Sequence, residues 1–243
     1  MSESLVVNEI YLSVQGESTW AGLPCVFIRL TACNLRCSYC DTAYAFTEGG
    51  RKSVDDICAR VDELAGPFEN AGSQRLPLIE LTGGEPLLQK SSIGMMTRFC
   101  DSGYTVLLET SGAHDVAAVD GRVHKIMDLK SPSSGEMKRI RWENLSHLSS
   151  LDEIKFVLGS VEDYEWMKET IRDRKLAKRC SLLVSWVHPL APEQQDSSLH
   201  PFPEDHTPID RKDLVERIIA DALPVRFQIQ MHKIVWAPDE RAV

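Results

Sequence analysis

Short apolar runs recur along the chain, each too brief for an ordinary helix and each followed by residues of a different period. Val26 to Leu30, Leu78 to Leu81, Thr105 to Glu109, Lys125 to Asp128, Glu153 to Leu158 and Ser181 to Ser185 predict six strands, with Arg226 to His232 as a late addition. Between them, apolar residues at helical spacing predict helices. Ser53 stands before Val54, Ile57, Cys58, Val61 and Leu64, which share one face, and Asp55 and Asp56 suit the positive end of a first turn. Similar patterns predict helices from Pro86 to Cys100, from Val161 to Arg174 and from Asp210 to Ala222, the last with Leu214, Val215, Ile218 and Ile219 as its apolar face. Residues 113 to 123 and 131 to 150 carry Gly, Pro and Ser without a clean period, so two crossovers read as loops or irregular turns. Alternating β and α with two defective crossovers predicts an α/β fold that falls short of a complete eight-fold barrel.

No low-complexity linker or internal repeat divides this alternation, so residues 1 to 243 read as a single domain. Its largest interruption, residues 188 to 208, is rich in Pro, His and acids and reads as a long loop or lid, and residues 226 to 243 form a final strand and tail. The composition, 43% hydrophobic and 26% charged, excludes collagen-like, disordered and disulfide-scaffold classes. A net charge of -9 argues against a broad nucleic-acid or anionic-membrane surface and for a small-molecule partner. No apolar stretch approaches a bilayer span and the N-terminus has no signal-peptide pattern, which reads as cytoplasmic.

Seven cysteines in such a chain read as reduced thiols or metal ligands rather than disulfides. Cys25, Cys58, Cys100 and Cys180 sit in apolar contexts and read as buried small hydrophobes. Cys33, Cys37 and Cys40 fall within eight residues, directly after the first buried strand. One short loop with that spacing wraps three thiolates around a cuboidal iron–sulfur cluster and leaves one iron free to act as a Lewis acid. The alternative is a zinc site, which needs a fourth ligand that no nearby residue supplies at zinc-like spacing.

Cys33, Cys37 and Cys40, with Tyr39 before the last, resemble the signature of the radical S-adenosylmethionine enzymes, and Thr82-Gly83-Gly84-Glu85-Pro86 resembles that superfamily's GGEP motif for the methionine amino group. Glycines there let backbone approach a ligand, and Glu85 or backbone carbonyls can accept from an ammonium. Asn8-Glu9-Ile10, Ser13-Val14-Gln15-Gly16-Glu17, Phe27-Ile28-Arg29-Leu30, Cys40-Asp41-Thr42, Glu109-Thr110-Ser111-Gly112, Asp128-Leu129-Lys130-Ser131-Pro132 and Arg226 to Lys233 extend the likeness over nearly the whole chain, and it is similar to the 7-carboxy-7-deazaguanine synthase family.

The resemblance implies an incomplete β/α barrel of about six strands with few helices, a [4Fe–4S] cluster on Cys33, Cys37 and Cys40, S-adenosylmethionine and Mg2+. It implies conversion of 6-carboxy-5,6,7,8-tetrahydropterin to 7-carboxy-7-deazaguanine with loss of ammonia, in the making of queuosine and related deazapurines. The route implied is reductive cleavage of S-adenosylmethionine to a 5'-deoxyadenosyl radical, which abstracts hydrogen from substrate C6. Carried onto matching positions, Val14, Gln15, Gly16, Arg29 and Thr82 hold the pterin, with Arg29 suited to bidentate pairing with the C6 carboxylate. Tyr39, Cys40, Asp41, Gly84, Ser131, Pro132 and Ser133 touch S-adenosylmethionine, and Thr42 offers its hydroxyl to Mg2+. Glu109 accepts from the ribose or methionine portion or is a polar strand end; Pro238 in the tail is a further nominee, and His232 and Lys233 read as structural. Where family members often carry Ser-Pro-Val, this chain has Ser185-Trp186-Val187. The resemblance also implies a homodimer and an external electron donor, flavodoxin or ferredoxin. The rivals are a glycyl-radical activase, which has no reason to carry Val14 to Glu17 with Arg29, and a non-catalytic zinc-binding module.

Overall fold

The computed structural model describes residues 3–68, 75–237 and 239–243. Nine strands form one open sheet: β1 (Ser4–Val14), β2 (Pro24–Leu30), β3 (Gly50–Ser53), β4 (Leu78–Gly83), β5 (Val106–Thr110), β6 (His124–Asp128), β7 (Glu153–Leu158), β8 (Ser181–Trp186) and β9 (Arg226–Gln228). Their order is β3-β1-β2-β4-β5-β6-β7-β8-β9. From β2 to β9 every neighbouring pair is parallel, and β1 joins β2 and β3 antiparallel. The sheet is thus a partial barrel with β3 and β9 as its edges, and it holds three strands beyond the six of the sequence pattern, one of them the late addition.

Five helices are described, α1 (Val54–Ala65), α2 (Ser91–Asp101), α3 (Val161–Arg174), α4 (Arg211–Ala220) and the single turn α5 (His232–Val235). The two weak crossovers are loops and short 3-10 turns at Pro132–Ser134, Met137–Arg139 and Trp142–His147. No helix among the described residues is long and apolar enough to cross a membrane.

Strand periodicity divides the sheet into two chemically different faces. The outer face carries Val26, Ile28, Leu30, Ile79, Leu81, Val106 and Leu108, all buried against α1 and α2. It continues with Met127, Ile154, Phe156, Leu158, Leu182 and Val184 against α3 and α4. Each such side chain contributes about 1.5–3 kcal/mol by leaving water. The inner face has a small apolar floor of Cys25, Phe27, Leu78, Leu107 and Ile126. Glu80 interrupts this floor between Phe27 and Leu107, and Arg29 beside Thr82 and Asp128 beside Lys155 stand further along the strands.

Three local readings are corrected. The stretch from Pro86 to Cys100 is a 3-10 turn (Pro86–Leu88) and then α2, because Gln89 is extended and its amide is used elsewhere. Gln89 Oε1 accepts from Val6 N at 2.8 Å, and Nε2 donates to Val6 O at 2.9 Å and Thr31 O at 3.1 Å. The strand predicted through His232 ends at Gln228, since Met231 N turns inward to donate to Gly16 O at 3.0 Å. In α4, Leu214 and Ile218 are buried one turn apart, while Ile219 lies a helical step off that face and is 71% exposed.

The α1 and α3 readings match the described helices. Ser53 Oγ accepts from Asp56 N at 3.0 Å, and Ser160 with Asp163 forms a capping box, each cap contributing about 1 kcal/mol. Residues 188–208 lie across the cysteine loop: His200 N donates to Arg36 O at 2.9 Å, and the His200 ring occupies the space that a side chain at Gly135 (φ 78°) would fill.

Candidate active site

The cysteine loop starts where β2 ends and is seated on the Gly83–Gly84 turn that ends β4. Gly84 N donates to Leu30 O at 3.1 Å and Glu85 N to Ala32 O at 2.9 Å. A Cβ on Gly83 would stand 2.2 Å from Leu30 O, and one on Gly84 2.0 Å from Ala32 O. Gly83 is therefore required by contact with the end of β2 and Gly84 by contact with the cysteine loop itself. Glu85 is turned away from the cavity and buried, where its carboxylate accepts from Leu87 N, Thr110 Oγ1, Ser111 N and Ser111 Oγ at 2.6–3.0 Å. Its lone pairs are occupied, which leaves backbone carbonyls of the turn as the acceptors for an ammonium.

Cys33, Cys37 and Cys40 line one cavity together with Gly84. Burial pushes all three thiols up, Cys37 to about 12, while Lys130 acts in the opposite direction. Among the described residues no three His, Cys, Asp or Glu side chains converge tightly enough to hold one metal ion. A closed zinc site requires that convergence, whereas each thiolate of a cuboidal cluster binds a different iron. The loop's free thiols and the partnerless buried Asp128 Oδ1, which belongs to a cavity-lining residue, suit a cluster with a polar ligand beside it.

Ser131, Pro132 and Ser133 do not line the cavity; they stand behind the cysteine loop and hold it. Ser38 Oγ donates to Ser133 O at 2.7 Å, Ser38 N to Ser134 O at 3.1 Å and Arg36 N to Glu136 Oε1 at 2.6 Å. The segment is keyed in turn by the fully buried Asp163, which accepts from Ser133 N at 2.8 Å, Ser133 Oγ at 2.5 Å and Gly159 N at 2.9 Å.

Val14, Gln15, Gly16, Arg29, Tyr39, Asp41, Thr42 and Thr82 all line the cavity. Arg29 has an anionic partner within the protein: its Nε lies 2.6 Å from Glu9 Oε1 and Nη2 donates to Tyr11 Oη at 3.0 Å. Nη1 has no partner among the described residues and is the donor left for a ligand. Asp41 is held near 2 by Lys233, 2.5 Å away, against the upward effect of its burial. A Cβ at Gly16 would meet His232 Nδ1 at 2.6 Å, so the Gln15–Gly16 turn and the C-terminal segment are fitted to each other. His232 and Lys233 line the cavity, as do Asp239 to Val243, and Arg241 Cζ sits 3.8 Å over the Tyr44 ring. Pro238 lies outside the described residues. Trp186 is directed to the helix side, where Nε1 donates to Ile209 O at 2.8 Å, and Val187 reaches the cavity.

The sequence reading names Glu109 and quotes Glu17 but misses Lys155 and Glu80, which join them in a charged inner set. Lys155 lies between Glu109, with which it is in direct contact, and Glu17 at 3.3 Å. Burial opposes the Lys155 charge, but Glu109 and Glu17 outweigh it and raise its pKa, and Lys155 in turn lowers that of Glu109 despite its burial. Glu80 is 2% exposed, lines the cavity and accepts from Gln15 Nε2. Alternation along β4 and β7 was the available signal, since an acid or lysine inside an apolar strand must face something polar.

No protein-family model matches the chain. It is 42% identical over 238 residues to the 7-carboxy-7-deazaguanine synthase of Koribacter versatilis, covering 98% of this chain and 99% of that protein. It is 39% identical over 242 residues to the enzyme of the same name from Chlorobaculum tepidum, covering 98% and 97%. The fold is similar to that of QueE from Escherichia coli (TM-score 0.67, 20% identity, 94% and 95% covered) and less so to Streptococcus suis SuiB (TM-score 0.55, 12% identity, 82% of this chain and 47% of SuiB). Near-complete coverage at such identity, over a fold with the three thiols and the Gly-Gly turn in one cavity, makes the chain a member of the 7-carboxy-7-deazaguanine synthase family.

Proposed function

We propose that this chain is a radical S-adenosylmethionine lyase that converts 6-carboxy-5,6,7,8-tetrahydropterin to 7-carboxy-7-deazaguanine with loss of ammonia, on the way to queuosine and related deazapurines. The observation that carries the reading is the sharing of one cavity by Cys33, Cys37 and Cys40, the Gly83–Gly84 turn and the charged inner face. When bound, the cluster and S-adenosylmethionine supply one-electron chemistry able to abstract hydrogen from carbon.

The chain's own part is to bind, orient and exclude water. Cys33, Cys37 and Cys40 hold the cluster; Tyr39, Cys40, Asp41 and Gly84 meet S-adenosylmethionine, and Ser131 to Ser133 act by fixing the loop from behind. Arg29 Nη1 meets the substrate carboxylate, the turn Val14 to Gly16 and Thr82 border the ring, and Lys155, shared between Glu109 and Glu17, offsets part of their charge and leaves the inner face net negative. Thr42, on the cavity wall, would offer its hydroxyl to Mg2+, which would supply positive charge beside the substrate. Residues 1–243 act as one catalytic unit, as a homodimer in the cytoplasm, reduced by a flavodoxin or ferredoxin.

Mass spectrometry of products after anaerobic mixing of reconstituted, reduced protein with S-adenosylmethionine, Mg2+ and the tetrahydropterin tests the reading; 7-carboxy-7-deazaguanine is expected, and its absence with an intact cluster overturns it. Thr42→Ala is expected to keep the cluster and lose most of the response to Mg2+. An unchanged Mg2+ titration removes Thr42 from the metal site.

A further inference from the structure

We propose that Glu80 is a specificity-determining residue that reads the amino-pyrimidinone edge of the pterin, at the end of the cavity opposite to the carboxylate-binding Arg29. This rests on the pterin reading above and adds to it which residue selects the ring.

Glu80 sits mid-strand on β4, in register between Phe27 of β2 and Leu107 of β5 and so within the apolar floor itself. An acid at such a place lacks both water and a cation of its own. Lys155, the nearby buried cation, is in contact with Glu109 and Glu17, and Glu80 forms no ion pair among the described residues. One oxygen, Oε2, accepts from Gln15 Nε2. The other, Oε1, has no protein partner among the described residues, and Glu80 borders the cavity. Burial first, then Glu109 and Glu17, push its carboxyl well above the usual range, so the protein alone leaves its charge poorly compensated. A carboxyl held without compensation in a cleft is a ligand-site feature rather than a stabilising one.

The ligand that would compensate it must bring hydrogen-bond donors. The pterin's pyrimidinone ring has two side by side, N3–H and the 2-amino group, which match the paired oxygens of the ionised carboxylate, so that binding would draw off the proton the ligand-free fold favours. Arg29 is in register with Thr82, and Glu80 lies two residues deeper on the same face, about 6.6 Å along the strand, so the two long side chains would splay apart to take the two ends of a fused bicyclic ring. Gln15 completes the recess, with its Oε1 fixed by Glu17 N at 3.0 Å and its Nε2 by Glu80. A ring carrying an oxo group in place of the 2-amino group would set oxygen against oxygen at Glu80 and be rejected.

The test uses the reconstituted protein with S-adenosylmethionine, under anaerobic conditions, and two stable probes that share the C6 carboxylate: 6-carboxypterin, which is 2-amino, and 6-carboxylumazine, which is 2-oxo. Affinities are read by fluorescence titration, alongside the cluster's electron paramagnetic resonance with and without S-adenosylmethionine. The parent is expected to bind the 2-amino probe about 10- to 100-fold tighter. Glu80→Gln, whose amide offers one donor and one acceptor, should bring the two affinities to within a few-fold while the cluster signals stay those of the parent. Glu80→Asp keeps the acid on a shorter stem and should preserve the preference at lower affinity, which covers a Glu80→Gln protein that fails to fold. A Glu80→Gln protein with the parent's preference, or a Glu80→Asp protein without any, makes Glu80 merely the partner of Gln15 and overturns the inference. A parent that binds both probes equally also overturns it and leaves the catalytic reading standing; a parent that binds neither removes the pterin reading itself.

Discussion

At the cavity-lining Arg29 the guanidinium gives Nε to Glu9 and Nη2 to Tyr11, and Nη1 has no partner among the described residues. A lysine would keep the charge but present it as one point at the end of a flexible stem, so the planar fork that addresses Glu9, Tyr11 and a ligand in separate directions is lost. Arg29→Lys is therefore expected to raise KM for the carboxylated pterin about 10- to 150-fold, one charge-assisted interaction of about 1.5–3 kcal/mol, with unchanged cluster spectra. Steady-state kinetics beside spectroscopy check this; a parent-like KM makes Arg29 only the counter-ion of Glu9. Cys37 answers to a different demand. Its thiol is buried and pushed up to about 12, so as a proposed cluster ligand it would have to give up a proton that its burial favours. Cys37→Ala leaves two thiolates and should abolish both iron retention and turnover, read by iron analysis; full iron content would strike Cys37 from the ligand set.

Elements that bury one face were the legible ones. The strands β2, β4, β5, β6, β7 and β8 show in the sequence because their outer faces are runs of Val, Ile and Leu under helices. The longest strand, β1, does not: Leu5, Val7, Ile10 and Leu12 pack on the outer core, but a register shift between Val7 and Glu9 breaks their alternation and Asn8, Glu9 and Ser13 interrupt it. Gln89 is invisible for the opposite reason, being an ordinary helix residue by propensity whose role lies some eighty positions away at Val6. That role can be measured. Gln89→Ala leaves Val6 N, Val6 O and Thr31 O without this partner, and is expected to cost about 1–3 kcal/mol in urea unfolding. A loss below a few tenths of a kcal/mol would mean that water replaces the amide. The cysteine and Gly-Gly motifs were legible as well, but the support behind them was not, because Asp163 meets Ser133 only through the fold of α3.

Across the whole molecule, the partial barrel sets an apolar outer layer against a charged inner one, and the inner one is held at a cost to stability. Glu80 shows the sign of that cost. Burial, Glu109 and Glu17 raise its folded pKa above the ordinary 4.5, with Lys155 and Gln15 opposing. Below that ordinary value both folded and unfolded chains are protonated at this carboxyl and it contributes no pH dependence. As pH rises past it, the unfolded chain releases the proton while the folded chain keeps it, so stability falls by up to about 1.4 kcal/mol per pH unit until the folded pKa is reached. Glu80→Gln removes the titration and keeps an oxygen for the Gln15 amide. The ligand-free variant should therefore melt at a higher temperature than the parent at pH 8, by a margin that shrinks toward pH 5. Thermal unfolding of both proteins across that range, in the absence of any pterin, reads the difference directly. A margin that stays constant or grows toward pH 5 would mean that the folded protein holds Glu80 as a compensated carboxylate, and that the inner face carries no such cost for a donor-bearing ligand to relieve.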